Sequence, residues 1–490
     1  MDIRIDVGPI WLRVSPLLCV SDFKLLKKKL TYTVPNYEFT NQHINYGWDG
    51  KVSLLHKDQT APSGCVYRVK HILERWCNHT TTIVHKNDYQ PLGNELVKLH
   101  NIELMNFQTV AVANAVKYRR GIIQAPVRAG KTAIAAAIIA RIGHYPVWVI
   151  TFGKDLVKQT SKDLELTLQR PIGMFSESEY TPGDIVVSSY QALSRAASVG
   201  EHTAHLSAKI QQRNKQILKS INDARVVIYD ECQHAMSPKN GNVLRAALSA
   251  GYVIGLSGTP IPKDSHRIEV EAAIGAILFR VRYETLIKCH RLARPMIVAY
   301  QTPYCWYATG LRDYATVYDS NIVGNIYRNR LIADVVKKLH ESGKTSFVMI
   351  RKLAHGPILR ALIPGSTFVH GHISSVDRAT LYTALNNKDV HCVIATVGKE
   401  GLNIPSLDAV INAEGMASEV VTIQKMRSLT AFEGKKRGLV IDFLDRGKFL
   451  AKHSKRRIKL YEKHLSSVKI KIRNIPKDLY PMEGTRWQSL

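Results

Sequence analysis

The stretch that most constrains this chain is Ala125-Pro126-Val127-Arg128-Ala129-Gly130-Lys131-Thr132. An apolar-ended segment, Gly121 to Gln124, precedes it, and a small-residue run, Ala133 to Ala140, follows. That order reads as strand, loop and helix. The loop has the form A-x-x-x-x-G-K-T, a phosphate-binding loop with Ala in place of the first Gly. Gly130 lets the backbone approach a phosphate, and successive N–H groups form a concave nest for the anion. Ala125 and Arg128 are read with Gly130 as nucleotide-binding residues of the loop. A helix starting near Lys131 adds the positive end of its dipole. Lys131 would neutralise the β- and γ-phosphates, and the Thr132 hydroxyl would hold Mg²⁺. The bland alternative is a chance G-K-T at a helix start, and context decides between the two.

The context is a series of strands alternating with helices from Asn101 onward. Gln108 lies one helix upstream of the loop, where its amide can reach an adenine edge. Val147 to Ile150, Asp184 to Gln191, Arg225 to Glu231 and Tyr252 to Pro260 each contain an apolar strand of the kind buried in a parallel sheet. Ligand sites of such sheets lie at the C-terminal strand ends. There the third of these strands carries Asp230 and Glu231. Asp230 would position Mg²⁺ and Glu231 would polarise an attacking water. Adjacent like charges repel, so a purely structural pair is disfavoured.

Residues 1–98 read as a small α+β module. Strand-like alternation opens it, Ser21 to Leu30 and Val66 to Trp76 read as helices, and Asp49-Gly50 between apolar flanks predicts a hairpin. Lys27 to Lys29, Trp48 and Lys51 suggest phosphate attraction and base stacking; a buried structural Trp48 is the plain alternative. The opening residues alternate like a strand, unlike a signal peptide, and no apolar run is long enough to span a bilayer. The seven cysteines are scattered and odd in number, which fits a reducing compartment. Cys65, His71, Cys77 and His79 match no standard zinc spacing and read as packing residues.

The 490 residues carry 68 Lys+Arg against 40 Asp+Glu, a net charge of +28. An excess of that size points to a polyanion, with nucleic acid the default partner. Between Arg446 and Arg473 there are eleven Lys/Arg and one acid, Glu462. Lys455, Arg456 and Lys459 fall at helical spacing, with Leu450, Ile458 and Leu465 as an apolar stripe to dock the helix.

Taken in order, these pieces resemble the motifs of superfamily 2 helicases. Gln108 resembles the adenine-contacting glutamine, residues 125–132 motif I, Asp230-Glu231-Cys232-Gln233-His234 motif II and Ser257-Gly258-Thr259-Pro260 motif III. Ser346 to Ile350 resembles motif IV, Phe368-Val369-His370-Gly371 the short strand motif after it, and Ile394 to Pro405 motif V. Motif II has Gln233 at the usual His place, so either Gln233 or His234 couples nucleotide state to Ser257, Gly258 and Thr259. Motif VI is reduced to Ile423-Gln424-Lys425-Met426-Arg427, which makes Arg427 the arginine-finger candidate and Gln424 its companion. The layout is similar to phage helicases of the UvsW type, themselves like RecG and XPB, which remodel branched DNA.

The resemblance implies two tandem RecA-like parallel-sheet lobes, at 99–290 and 291–455. It implies an N-terminal substrate-recognition module at 1–98 and a basic, helical tail at 456–490. ATP and Mg²⁺ would bind between the lobes. Strand-end residues Thr151, Ser189 and Thr396 would hold phosphates of one nucleic-acid strand, with Lys455, Arg456 and Lys459 extending the path. The expected partner is branched or forked DNA and no membrane, acted on by a monomer in the cytoplasm, a host's if the chain is phage-encoded. The motifs do not separate DNA from RNA. Other readings are an RNA helicase, a restriction-system motor, or a non-catalytic binding protein with a vestigial ATP site.

Overall fold

The computed structural model describes residues 1–87, 89–92, 99–126, 128–151, 153–176, 179–198, 208–234, 247–258, 265–292, 294–302, 313–370, 380–381, 383–385, 387–396, 407–417, 437–447, 449–464 and 470–474. The chain forms two compact units, Met1–Val281 and Arg282–Leu490.

The first unit begins with a four-stranded sheet in the order Thr60–Pro62, Trp11–Ser15, Asp2–Val7, Thr80–His85. Strict alternation drives it: Ile3, Ile5 and Val7 of one strand and Leu12 and Val14 of its neighbour are buried, as period-two side chains on a half-covered sheet must be. The helices Val20–Lys29 and Val66–Trp76 contribute to the same core. The predicted hairpin at Asp49-Gly50 does not form. Lys51–Ser53 pairs antiparallel with Thr31–Thr33, about twenty residues upstream. Gly47 instead caps the helix Asn41–Tyr46 in the left-handed region, and Gly50, at φ +72°, lies hard against the Tyr37 ring. Both glycines are therefore committed to positive φ, and Gly50 also to a close approach, rather than to a two-residue turn.

An eight-stranded sheet follows, ordered Tyr180–Thr181, Gly173–Phe175, Ile185–Ser189, Val147–Thr151, Val226–Asp230, Tyr252–Ser257, Arg120–Gln124, Ile277–Arg280. All neighbours but the first pair are parallel. Three of the central strands are buried along their whole length, which is why they read as unbroken apolar runs. The N-terminal module packs directly on this lobe. Gly64 meets the backbone of Glu271 and Ala272 so closely that any Cβ would collide. Arg68 pairs with Glu271, and the Arg120 guanidinium donates to the Pro9 carbonyl at 2.5 Å.

The second unit holds a seven-stranded, all-parallel sheet ordered Thr367–Val369, Cys392–Thr396, Ser346–Ile350, Ala409–Asn412, Arg437–Leu444, Arg294–Gln301, Ile470–Arg473. The basic helix spans Leu450–His464, crossing the boundary expected at 455/456. The chain beyond it returns as the edge strand Ile470–Arg473. The docking face of the helix also differs from the expected stripe. Ile458 is only half-buried, Leu465 lies outside the described residues, and the buried residues are Leu450, Ser454, Arg457, Leu460 and Tyr461. Polar groups can face the sheet here because each finds a partner. Arg457 Nε meets Asp442 Oδ2 at 2.9 Å, the Tyr461 hydroxyl donates to the same oxygen at 2.7 Å, and Ser454 Oγ donates to the Asp445 carbonyl at 3.2 Å. Among the described residues of both units, no helix is long and apolar enough to cross a membrane.

Candidate nucleotide site

Three strand ends of the eight-stranded sheet bring the site together. The strand Arg120–Gln124 runs parallel to Tyr252–Ser257, and the Ala125 N–H donates to the Ser257 carbonyl at 2.8 Å. The chain then turns: Arg128 has φ +71° and Gly130 φ +75°, and the helix Lys131–Ile142 starts at once. Gln108 braces this turn. Its Oε1 accepts the Met105 N–H at 2.9 Å and its Nε2 donates to the Ala129 carbonyl at 2.8 Å. A Cβ on Gly130 would strike that amide, so position 130 excludes side chains for both its φ and its neighbour. Both ends of the Gln108 amide, expected to read adenine, thus serve the protein itself in this structure. Thr132, in the first helical turn, borders a cavity of about 400 Å³ that His100, Asn101, Asp163 and Gln169 also line.

Asp230 ends the strand Val226–Asp230, and Glu231 follows with φ +48°. A non-glycine residue in that region is strained, a condition that clusters at functional sites. Its N–H is held by Asp230 Oδ1 at 2.9 Å. Lys131 Nζ reaches Asp230 Oδ1 at 3.2 Å and also pairs with Glu231. Burial pushes the Asp230 carboxyl above its ordinary range, against the pull of Lys131 and with the help of the Glu231 charge. Of the two residues read as coupling candidates, Gln233 has a described side chain, and that of His234 lies outside the described residues. Gln233 Nε2 donates to Glu231 Oε2 at 2.7 Å, and Ser257 Oγ donates to Gln233 Oε1 at 2.7 Å. One amide therefore joins the acid of motif II to the serine of motif III. Gln233→Ala removes both bonds and loosens the aim of the Glu231 carboxylate, which still pairs with Lys131. Misplacing a reacting group by about 1 Å can cost about 10²-fold. The expected result is a fall in kcat of roughly that size with nucleotide affinity kept, read by steady-state hydrolysis and nucleotide titration.

Other expected residues fall differently. Thr151 and Ser189 are not open to a nucleic-acid strand: both are buried. The Thr151 hydroxyl faces the Ser188 carbonyl at 3.4 Å, and Ser189 Oγ accepts the Ala192 N–H at 3.2 Å. The Ser189 hydroxyl closes its own strand-to-helix turn, and the Thr151 hydroxyl bonds across to the neighbouring strand. Thr396 ends its strand half-buried. Trp48 is half-buried, with its indole N–H donated to the Lys51 carbonyl at 3.2 Å and its ring edge-on to Tyr37. Lys51 is exposed and paired with Asp49 at 2.8 Å. Lys455, Arg456 and Lys459 are exposed on the helix Leu450–His464. Gly258 is buried at the motif III turn. Thr259, Gln424, Arg427 and the side chain of His234 lie outside the described residues. In the N-terminal module, burial pushes the Cys65 thiol up to about 12, and His79 Nε2 lies 2.8 Å from Asp22. Sequence reasoning passed over Arg120, a buried cation at the start of a parallel strand. Its signal was the second of two arginines, Arg119-Arg120, directly before the strand run Gly121 to Gln124.

Residues 98–262 match the family described as Type III restriction enzyme, res subunit. The ATP-dependent DNA helicase uvsW of Enterobacteria phage T4 is 22% identical over 449 residues, 85% of each chain. Putative helicase 22 of a Sulfolobus islandicus filamentous virus is 22% identical over 406 residues, 76% of this chain and 69% of that one. Among solved structures, the ATP-dependent Type ISP restriction-modification enzyme LlaBIII bound to DNA shares the fold. It has a TM-score of 0.54 and 14% identity, over 80% of this chain and 33% of that one.

Proposed function

We propose that this chain, a superfamily 2 helicase by its motifs and relatives, is an ATP-driven DNA helicase or translocase. Its substrate on this reading is branched or forked DNA, which it unwinds, anneals or migrates in replication, recombination or repair. The observation that carries the reading is Lys131 beside Asp230 and Glu231 at parallel strand ends, joined through Gln233 to Ser257. A vestigial site would have no need to keep this set intact.

The donor set suits the nucleotide and its metal. Thr132 and Asp230 offer the hard oxygen ligands that Mg²⁺ prefers, and Lys131 offers a compact cation for phosphate. Bound ATP·Mg²⁺ supplies the phosphoanhydride to be cleaved. Lys131 neutralises the β- and γ-phosphates. Glu231, aimed by Gln233, orients the attacking water and accepts its proton. Arg427 supplies a cation to the transition state and Gln424 positions beside it; Lys425 and Arg437 are the next candidates for the cation. Ser257, at the far end of the amide bridge, passes the state of Glu231 to the motif III turn at Gly258. The +28 charge draws DNA through its backbone, which positions without reading sequence. The site of work is the cytoplasm of the cell that holds that DNA.

An ATPase titration with single-stranded, duplex, forked and four-way DNA, and with RNA, tests this. Strongest stimulation by forked or four-way DNA is expected. Stimulation by RNA alone would move the substrate to the RNA reading, and no stimulation by any nucleic acid would remove the motor.

The exposed face of the helix Leu450–His464 carries a further expectation. Replacing Lys455, Arg456 and Lys459 by Gln weakens binding to all DNA sequences alike. It also flattens the slope of log K against log salt on duplex by about 0.9 for each phosphate no longer neutralised. An unchanged slope with unchanged affinity would make this face a solvated surface only.

A further inference from the structure

A cavity of about 360 Å³ lies in the first unit where the N-terminal module meets the sheet, on residues that the nucleotide site does not use. Its volume is at the low end of small-ligand pockets. Trp11, Tyr32 and Leu54 line it from the module, and Arg120, Tyr229 and Glu269 from the lobe. Two features restrict what it can hold. The first is charge. Arg120 is 5% exposed, bonds the Pro9 and Ala273 carbonyls, and has no carboxylate partner among the described residues. Glu269 lines the same space and holds the Tyr32 phenol. An anion would suit Arg120 and be repelled by Glu269, and a cation the reverse. The occupant that suits both is neutral, with acceptors for Arg120 and donors for Glu269. The second feature is shape. Trp11 is 46% exposed, with His56 packed edge-on at 5.0 Å, so it presents a braced ring for a flat partner. Arg13 lies two residues along the strand Trp11–Ser15, exposed on the same face, with only an exposed ion pair to Asp58 at 3.6 Å.

Guanine meets these conditions. Its O6 and N7 accept from an arginine, its N1–H and N2 amino group donate to a carboxylate, and its ring stacks on an aromatic. We propose that this cavity takes a single unpaired guanine base, with Trp11 stacking, Arg120 reading O6/N7, Glu269 reading N1/N2 and Arg13 holding the adjoining phosphate. The inference rests on the DNA-motor reading for its preferred source, a base extruded from a strand. A free guanine nucleotide has the same chemistry and is the other source.

The test is fluorescence anisotropy of the full chain, with ADP in excess to fill the nucleotide site. Labelled 12-mer oligo-dT is compared with the same oligomer carrying one dG, one deoxyinosine or one 7-deaza-dG. The single dG is expected to tighten binding about tenfold. Deoxyinosine removes the N2 donor and 7-deaza-dG the N7 acceptor, so each should lose most of that gain. Glu269→Gln keeps the side-chain shape and the acceptor for Tyr32, and should abolish the dG preference. Trp11→Ala should weaken every oligomer. Displacement of the dG oligomer by dGMP assigns the site to a free nucleotide, and no displacement assigns it to a strand. Equal affinity for all four oligomers, together with no dGMP binding, overturns the proposal. ATP hydrolysis stimulated by oligo-dT is measured on the same preparations: its absence in the native chain would defeat the motor reading, whereas the dG preference stands or falls by itself.

Discussion

Lys131→Ala is expected to lower nucleic-acid-stimulated ATP hydrolysis by about 10³-fold, the scale on which a preorganised group facing developing charge acts, while DNA binding is kept. Lys131 has two tasks in this structure. It carries the charge meant for the phosphates, and it sits against both Asp230 and Glu231. Without it two carboxylates stand side by side at a half-buried strand end. The Asp230 carboxyl, already pushed up by burial, then rises further, so its hold on a metal weakens at the same time as the phosphate cation is lost. Lys131→Arg separates the two tasks. It restores the charge but not the compact ammonium, and guanidinium and ammonium are not interchangeable at such a site. Recovery of the fold's thermal midpoint without recovery of hydrolysis is the expected outcome. Near-native hydrolysis by the alanine variant would remove the motor reading altogether. DNA binding survives because the expected phosphate contacts lie on other elements, among them the exposed Lys455, Arg456 and Lys459.

The parts legible in the sequence were those set by local chemistry. The strands Val147–Thr151, Val226–Asp230 and Tyr252–Ser257 announced themselves because buried parallel strands are apolar on both faces. The loop at 125–132 was legible because few residue types fit a tight turn against an anion. What stayed hidden were pairings made across the fold. Asp49-Gly50 carries a strong hairpin signal, yet the strand after it finds its partner at Thr31–Thr33. Gln108 lies on the helix before the loop, but its commitment to the Ala129 carbonyl 21 residues on was not legible. Thr151 and Ser189 sit at the expected strand ends, but whether a hydroxyl faces solvent or bonds within the fold depends on packing that spacing does not encode. The bridge at Gln233 needed the Ser257 strand end beside the Asp230 strand end, a fact of sheet order alone. The basic helix misled for a related reason. A face carrying Ser454, Arg457 and Tyr461 looks solvated until the strand beneath it is seen to carry Asp442.

That buried cluster carries the largest stability effect. Asp442 is fully buried and accepts five hydrogen bonds: from the Phe443 N–H at 2.7 Å, from Asn412 Nδ2 at 3.1 Å, from Arg457 Nε at 2.9 Å to one oxygen and 3.2 Å to the other, and from the Tyr461 hydroxyl at 2.7 Å. Arg457 also donates to the Phe443 carbonyl at 2.5 Å and lies 3.8 Å from Asp445, which in turn is held by Arg328 Nε at 2.7 Å. Arg457→Met keeps the length and apolar stem but leaves the Asp442 carboxylate buried without its cation. Breaking a buried pair from one side costs about 3–5 kcal/mol. That is a large share of the roughly 5–15 kcal/mol that holds a domain together, and it corresponds to a fall of about 10 °C in the second unit's thermal midpoint. The sign of its pH dependence follows from the same residue. Arg457 and the hydrogen bonds hold the native Asp442 carboxyl below its ordinary range despite its burial; its stabilisation is therefore present at neutral pH and lost only as pH falls through that lowered value. In the variant, burial without the cation raises the carboxyl above its unfolded range, so the variant loses stability as pH rises. The deficit between the two proteins must then widen from acid to neutral pH. Asp442→Asn in the Arg457→Met background removes the stranded charge and should recover part of the loss. A deficit that is small and flat with pH would show that the helix Leu450–His464 is held by Leu450 and Leu460 rather than by its ion pair.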